Sequence, residues 1–87
     1  MSDETQATIR RVLSEQGRLR EDAETIAPGA DLAEAGMSSH ASVNVMLGLE
    51  DAFDVEFPDR MLRREYFESI DAIAGAIAEL QQEEASV

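Results

Sequence analysis

Two adjacent serines, Ser38 and Ser39, carry the most specific chemistry in this sequence. They follow Gly36 and stand where a long loop is predicted to enter a helix. One serine in that position is explained as the helix N-cap, whose oxygen accepts a hydrogen bond from the first turn. A helix start also attracts phosphate, because its free backbone N–H groups and its dipole both favour an anion. The second serine hydroxyl is therefore placed to carry a phosphodiester.

The residues around these serines do not predict a catalytic site. His40 is the one histidine of the chain and directly follows Ser39, so the two side chains point in different directions on a helix. Ser42 lies two positions beyond His40 and fails for the same reason. The sequence has no cysteine, which excludes a thiol nucleophile, a disulfide and a thiolate metal site. We predict no catalytic residue in this chain.

The acidic residues at 54–59 do not form an EF-hand loop. Such a loop needs Asp or Asn at its fifth position, Gly at its sixth and Glu at its twelfth. Counted from Asp54, the fifth and sixth positions hold Pro58 and Asp59, which do not match. Of these three required positions, only the twelfth matches, with Glu65. No metal site is predicted.

The charge balance excludes two classes of partner. Nineteen acidic residues oppose seven arginines, there is no lysine, and the net charge is −12. Binding to nucleic acid requires a positively charged surface, and an anionic membrane would repel a negatively charged protein. A basic partner protein would instead be attracted. The 87 residues form one small domain. An acidic N-terminus and an apolar run of only residues 72–78 predict neither a signal peptide nor a membrane span, so a cytoplasmic location is expected.

Helical periodicity recurs along the chain and no segment alternates as a strand does, which predicts an all-α fold. Three main helices are joined by one short helix, and a long loop at 17–38 separates the first two. The final helix is capped by Ser69 and the short one by Asp59. The predicted helices cover residues 4–16, 39–53, 60–65 and 70–80. The domain is expected to span residues 1–82, with a frayed tail at 83–87.

Apolar residues at spacings of three and four predict which helix faces are buried. Loops as long as 17–38 are uncommon and usually functional, and three apolar side chains are expected to pin this one to the core. These are Leu19, Ile26 and Leu32. The predicted stripe of the second helix is Val43, Met46, Leu47, Glu50 and Phe53, and that of the final helix is Ile70, Ile73, Ala74, Ile77 and Leu80.

Residues 36–59 resemble the acyl carrier protein family. That family commonly reads Gly-x-Asp-Ser-Leu, then a helix ending in Leu-Glu-x-x-Phe, then an acidic residue, an apolar residue and Pro. This chain reads Gly-Met-Ser-Ser-His at 36–40 and Leu-Glu-Asp-Ala-Phe-Asp-Val-Glu-Phe-Pro-Asp at 49–59. The first helix, the long loop and the final helix also match, so the resemblance covers nearly the whole chain.

The resemblance implies a four-helix carrier domain that is monomeric. Ser39 falls on the serine that receives 4′-phosphopantetheine from coenzyme A, by the action of a phosphopantetheinyl transferase. The arm ends in a thiol, which holds the cargo as a thioester and presents it to partner enzymes. Tethering raises the effective concentration of that cargo at each enzyme.

Departures from the family pattern imply a specialised partner. Ser38 replaces the usual Asp, His40 replaces the usual Leu, and Asn44 stands at a position of the second helix that is often acidic. The predicted short helix carries three arginines, which is an uncommonly basic patch. The residues expected to contact partners are His40, Asn44, Asp51, Arg63 and Arg64.

The run from Met46 to Leu62 looks more specifically like the bacterial aminoacyl carrier proteins. These are charged by stand-alone, ATP-dependent amino acid:carrier protein ligases that resemble the catalytic core of seryl-tRNA synthetases. This likeness implies a small amino acid as cargo. Two alternatives stay open on the sequence: a carrier for fatty-acid or polyketide synthesis, and an unmodified acidic adaptor that binds a basic protein.

Overall fold

The computed structural model describes residues 3–85, with side chains described for 4–83. Every regular element in that range is helical, which confirms the all-α fold class. The long helices are α1 (Asp3–Val12), α2 (Ser39–Phe53) and α3 (Ile70–Ala85). A π-helical turn (Leu13–Gly17) extends α1, and two 3₁₀ turns (Asp59–Met61 and Arg64–Tyr66) lie between α2 and α3. Helix α1 packs against both other helices.

The short helix predicted at 60–65 is replaced by the two 3₁₀ turns. Met61 and Phe67 are both buried, and Phe67 follows Met61 by six positions. In a continuous α-helix that separation would place them about 120° apart around the axis. Two tighter turns with a break between them let both side chains face the core. Asp59 does not cap the first turn, which follows Pro58 without a side-chain hydrogen bond.

The buried face of α2 differs from the predicted stripe. Val43 and Leu47 are 52% and 53% exposed, whereas Ala41, Val45 and Leu49 are buried. Met46 and Phe53 only pack against the edge of the core. The Glu50 carboxylate, also predicted on that stripe, accepts a hydrogen bond from the Phe57 backbone N–H at 2.8 Å and so holds the chain that follows α2.

Small residues decide this orientation of α2. At Gly48, a Cβ atom would come within 2.9 Å of Val12 Cγ1 on α1. The two helices therefore meet closely at a seam between Gly48 and Val12, and the buried Ala41 and Val45 lie on the same side of α2 as Gly48. Because this side faces α1, Val43 and Leu47 are turned outward.

The loop at 18–38 is bonded to the helices on either side of it. The Arg10 guanidinium donates to the carbonyl oxygens of Ala23 and Ile26, at 2.9 and 2.8 Å. The Leu32 N–H donates to the Glu68 carbonyl at 2.8 Å. Ile26 and Leu32 are buried and Leu19 packs against the core, so the predicted anchors are confirmed. These bonds fix the chain that leads into α2.

Helix α3 buries the predicted stripe, including Ile73 and Ile77. Ser69 caps it as expected, since its Oγ accepts a hydrogen bond from the Ala72 N–H at 3.0 Å. The helix continues to Ala85, so the first part of the predicted tail is helical and residues 86–87 lie outside the described residues. None of the helices described has the length and apolar character needed to cross a membrane.

Candidate functional site

The two serines at the start of α2 differ in their hydrogen bonding. Ser38 lies before the helix, and its Oγ accepts a hydrogen bond from the Ala41 N–H at 3.1 Å, so the predicted cap is confirmed. Ser39 is the first residue of α2 and is exposed. Its carbonyl accepts a bond from Ser42 Oγ at 2.7 Å, but its own hydroxyl makes no hydrogen bond within the described residues. The Ser39 hydroxyl is thus accessible and not needed by the fold.

The loop before Ser39 is held by backbone bonds and one unusual conformation. The Met37 N–H donates to the Leu32 carbonyl at 2.9 Å, and the Arg20 N–H donates to the Ala35 carbonyl at 2.8 Å. Gly36 lies between Ala35 and Met37, the residues that make these two bonds. Its φ is +118°, a value that residues with a side chain rarely adopt. A Cβ atom at Gly36 would also lie 3.0 Å from the Arg20 nitrogen. The glycine therefore sets how the chain reaches Ser39.

We expect Gly36→Ala to destabilise the protein by about 1–2 kcal/mol, because the new side chain is strained at this φ. Chemical denaturation followed by circular dichroism measures the change. Gly29→Ala is the matched control, since its φ lies outside the left-handed region and its Cβ would meet only Asp71 Oδ2, at 3.9 Å. An equal effect of the two substitutions would contradict the role given to Gly36.

A groove of about 770 Å³ opens beside Ser39, between α2 and the segment before α3. Ser39 and Ser42 lie along it, and so do the side chains of Arg63 and Arg64. Its apolar lining comes from Met37, Val43, Met46, Leu62 and Phe67. A flexible chain attached to the Ser39 hydroxyl would have an apolar surface directly next to it.

The residues predicted to contact partners fall into two groups. Arg63 and Arg64 are exposed and share the groove with Ser39, whereas His40, Asn44 and Asp51 do not line it. His40 and Asp51 are exposed on α2, and Asn44 is half-buried.

The three arginines of the predicted basic patch do not behave alike. Arg60 pairs with Glu83 and, at 3.8 Å, with Glu79 on α3. The hydrogen bond to Glu83 raises the pKa of Arg60 above its ordinary value. In the described part of the chain, Arg63 and Arg64 form no ion pair, so they keep their charge available.

Three exposed apolar residues were missed by the sequence reasoning. The sequence places Val43 and Leu47 in the predicted core stripe of α2 and makes no prediction for Leu62, which is 50% exposed. For Val43 and Leu47, the sequence does contain a signal. Helix α2 has apolar residues on two faces, whereas one buried stripe requires only one.

Among the side chains of residues 4–83, His40 makes no hydrogen bond to a serine hydroxyl. No three His, Asp or Glu side chains in that range are grouped closely enough to hold a metal ion. Asp54, the start of the acidic run, instead ends α2 in a left-handed conformation.

Comparison with known proteins identifies the family to which the chain belongs. Residues 7–77 match the family described as the phosphopantetheine attachment site, and the chain belongs to this family. Members of the family bear 4′-phosphopantetheine as a covalently attached cofactor. The exposed, unbonded Ser39 hydroxyl beside an apolar groove fits such an arm.

Similar proteins narrow the class to aminoacyl carriers. The chain is 54% identical over 71 residues to an aminoacyl carrier protein of Agrobacterium fabrum, covering 82% of this chain and 86% of that one. It is a homologue of that carrier.

Solved structures agree with this relationship. One is a crystal structure of an engineered Bradyrhizobium japonicum glycine:[carrier protein] ligase complexed with a carrier protein from Agrobacterium tumefaciens and AMP. The match has a TM-score of 0.81 and 52% identity over 84% of this chain and 97% of the other. A second is the Bradyrhizobium japonicum ligase complexed with glycylated carrier protein, at a TM-score of 0.73 and 28% identity over 85% and 99% of the two chains.

Proposed function

We propose that Ser39 is the residue that carries the 4′-phosphopantetheine arm. The observation that carries this assignment is the contrast between neighbours: Ser38 Oγ is bonded as the helix cap, whereas Ser39 Oγ is exposed and unbonded. A phosphodiester on Ser39 would lie at the N-terminus of a 15-residue helix, where backbone N–H groups and the helix dipole favour negative charge. The donor is coenzyme A, and a phosphopantetheinyl transferase catalyses the step. Ser39 Oγ bonds to the phosphorus next to pantetheine and loses its proton, while the pyrophosphate bond of coenzyme A breaks and adenosine 3′,5′-bisphosphate leaves.

The cargo is a small amino acid, with glycine the first to test. The related carriers were crystallised with a glycine:[carrier protein] ligase, and one of them was glycylated. The arm supplies a thiol, which holds the amino acid as a thioester. An ATP-dependent ligase resembling the core of a seryl-tRNA synthetase loads it. The ligase joins the amino acid carboxylate to AMP and releases pyrophosphate, and the thiol then displaces AMP and loses its proton to form the thioester.

The carrier acts as a cytoplasmic monomer whose domain spans residues 1–82. Partner enzymes reach Ser39 past the exposed His40 and Asp51 of α2, the half-buried Asn44, and the two groove arginines, Arg63 and Arg64. The chemistry is performed by those enzymes, and this chain presents the tethered substrate.

Intact-mass spectrometry tests both steps. The purified protein is incubated with coenzyme A, Mg²⁺ and a broad-specificity phosphopantetheinyl transferase, then with glycine, ATP and the Bradyrhizobium japonicum ligase. We expect one phosphopantetheine adduct, mapped by peptide fragmentation to Ser39, followed by one glycyl adduct that hydroxylamine removes.

The attachment of the arm to Ser39 and the glycylation of the arm can be refuted independently. An adduct on Ser38 or Ser42 would refute the site, because it would show that exposure and capping do not select the reactive hydroxyl. A phosphopantetheine adduct that the ligase does not glycylate, while it glycylates the Agrobacterium carrier, would refute the proposed loading.

A further inference from the structure

Residues 32–36, which we call the entry turn, lie shortly before α2 and end as a helix does. The Gly36 N–H donates to the Ala33 carbonyl at 3.1 Å. The Met37 N–H donates to the Leu32 carbonyl at 2.9 Å. These two bonds and the positive φ of Gly36 form a Schellman motif, which commonly closes a helix. The motif leaves the carbonyl oxygens of the next two residues to be bonded from outside the turn.

Arg20 supplies the donors for both of those carbonyl oxygens. Its backbone N–H donates to the Ala35 carbonyl at 2.8 Å, and its guanidinium donates to the Glu34 carbonyl at 2.7 Å. The stem of its side chain covers Gly36, because a Cβ atom there would lie 3.2 Å from Arg20 Cγ and 3.4 Å from Nε. The carbonyl oxygens of residues 32–35 are thus all hydrogen-bonded, which fixes the direction in which the chain leaves the entry turn.

The guanidinium bond of Arg20 forms on the solvent side of the entry turn. Arg20 is exposed and forms no ion pair with the residues that the structure describes. The opposite side of the turn is anchored independently, by the buried Leu32 and Ala35 and by the bond from the Leu32 N–H to the Glu68 carbonyl at 2.8 Å. Loss of the guanidinium bond would therefore loosen the end of the turn and leave the core intact.

We propose that Arg20 is a positioning residue for the transfer of phosphopantetheine to Ser39. This inference rests on the proposed function. Only Met37 and Ser38 separate the entry turn from Ser39, so the direction in which the turn ends sets the place of the attacking hydroxyl. Arg20 acts through this turn and does not touch coenzyme A. A loosened turn presents Ser39 correctly for only part of the time, and the KM for the carrier rises as that fraction falls.

Transfer kinetics of the unmodified protein with coenzyme A, Mg²⁺ and a broad-specificity phosphopantetheinyl transferase test this role. Arg20→Met removes the guanidinium bond but keeps an apolar stem and the backbone N–H. We expect it to raise the KM for the carrier about fivefold, as for the loss of one hydrogen bond, and to leave kcat within about twofold of wild type. Arg20→Lys places an ammonium within reach of the same carbonyl and should recover most of the loss.

Arg18→Met is the matched control for the loss of charge. Arg18 belongs to the same loop and is exposed, and its side chain makes no hydrogen bond or ion pair with the described residues. The substitution removes one positive charge and leaves the entry turn unchanged. Its KM should therefore stay within about twofold of wild type.

Amide hydrogen exchange, followed by NMR, separates positioning from direct contact with the transferase. Arg20→Met should speed the exchange of the Gly36 and Met37 amides about fivefold, because the turn that holds them opens more often. The amide of Ile77, which is buried on α3, should exchange at the wild-type rate.

The outcomes separate this inference from the function on which it rests. If the wild-type protein is not modified at Ser39, the proposed function fails and the inference falls with it. If it is modified and Arg20→Met has the wild-type KM, the inference alone is overturned. A raised KM with unchanged exchange at Gly36 and Met37 would also overturn it, since Arg20 would then contact the transferase itself. Equal acceleration at Ile77 would do the same, because it would show a general loss of stability.

Discussion

Ser39→Ala is expected to abolish the phosphopantetheine adduct while leaving the free energy of unfolding within about 0.5 kcal/mol of wild type. The adduct is lost because the accepting oxygen is gone. Stability is kept because Ser39 Oγ makes no hydrogen bond and the side chain is exposed. Intact mass after incubation with coenzyme A and the transferase measures the first effect, and urea denaturation measures the second.

Ser38→Ala is the matched control and should give the opposite result. It removes the cap bond to the Ala41 N–H, which costs about 1 kcal/mol of stability. The Ser39 hydroxyl remains, so the adduct should still form with excess transferase. If the adduct were lost in the variant that loses stability and kept in the other, the result would contradict the assignment. It would show that the transferase needs the intact helix start rather than one hydroxyl.

The division of roles between the two serines could be predicted because capping is a local property. It depends on the backbone just before a helix, and a serine following Gly36 at the end of a loop provides the required geometry. The proposal of Ser39 as the reactive residue depends on a family resemblance, since hydroxyl type and spacing alone leave several serines eligible. The structure adds the physical difference between them.

The buried face of α2 could not be predicted from periodicity. Ala41, Val45 and Leu49 recur every four residues, and so do Val43 and Leu47, so the sequence contains two apolar rows on one helix. Side-chain size does not separate the rows, since Val45 and Leu49 match Val43 and Leu47. The structure buries the row that begins at Ala41, because the distance between α1 and α2 is set by what fits at Gly48.

The segment between α2 and α3 shows a similar limit. Its turn residues and the buried Met61 are visible in sequence, but its conformation depends on where Phe57 and Phe67 meet. Their rings pack at a centroid separation of 5.3 Å, a contact across ten residues. Local propensity carries no information on such a contact, and a single short helix was therefore predicted where two turns occur.

The glycines of α2 and α3, Gly48 and Gly75, are expected to respond to alanine with opposite changes in the free energy of unfolding. At Gly75 on α3, a Cβ atom meets nothing within 4 Å, so Gly75→Ala should stabilise the protein by about 1 kcal/mol through helix propensity. At Gly48, the same gain is offset by overpacking against Val12 Cγ1, which costs about 1–3 kcal/mol. Gly48→Ala should therefore destabilise, as measured by urea denaturation.

The cause of that difference can be isolated with a double-mutant cycle. If contact with Val12 is responsible, Gly48→Ala should cost less stability in a Val12→Ala background than in wild type, with a coupling of about 1 kcal/mol. Equal stabilisation by both glycine substitutions, or a cycle with no coupling, would mean that α1 and α2 do not meet at this seam. The outward orientation of Val43 and Leu47, which follows from the seam, would then lose its physical basis.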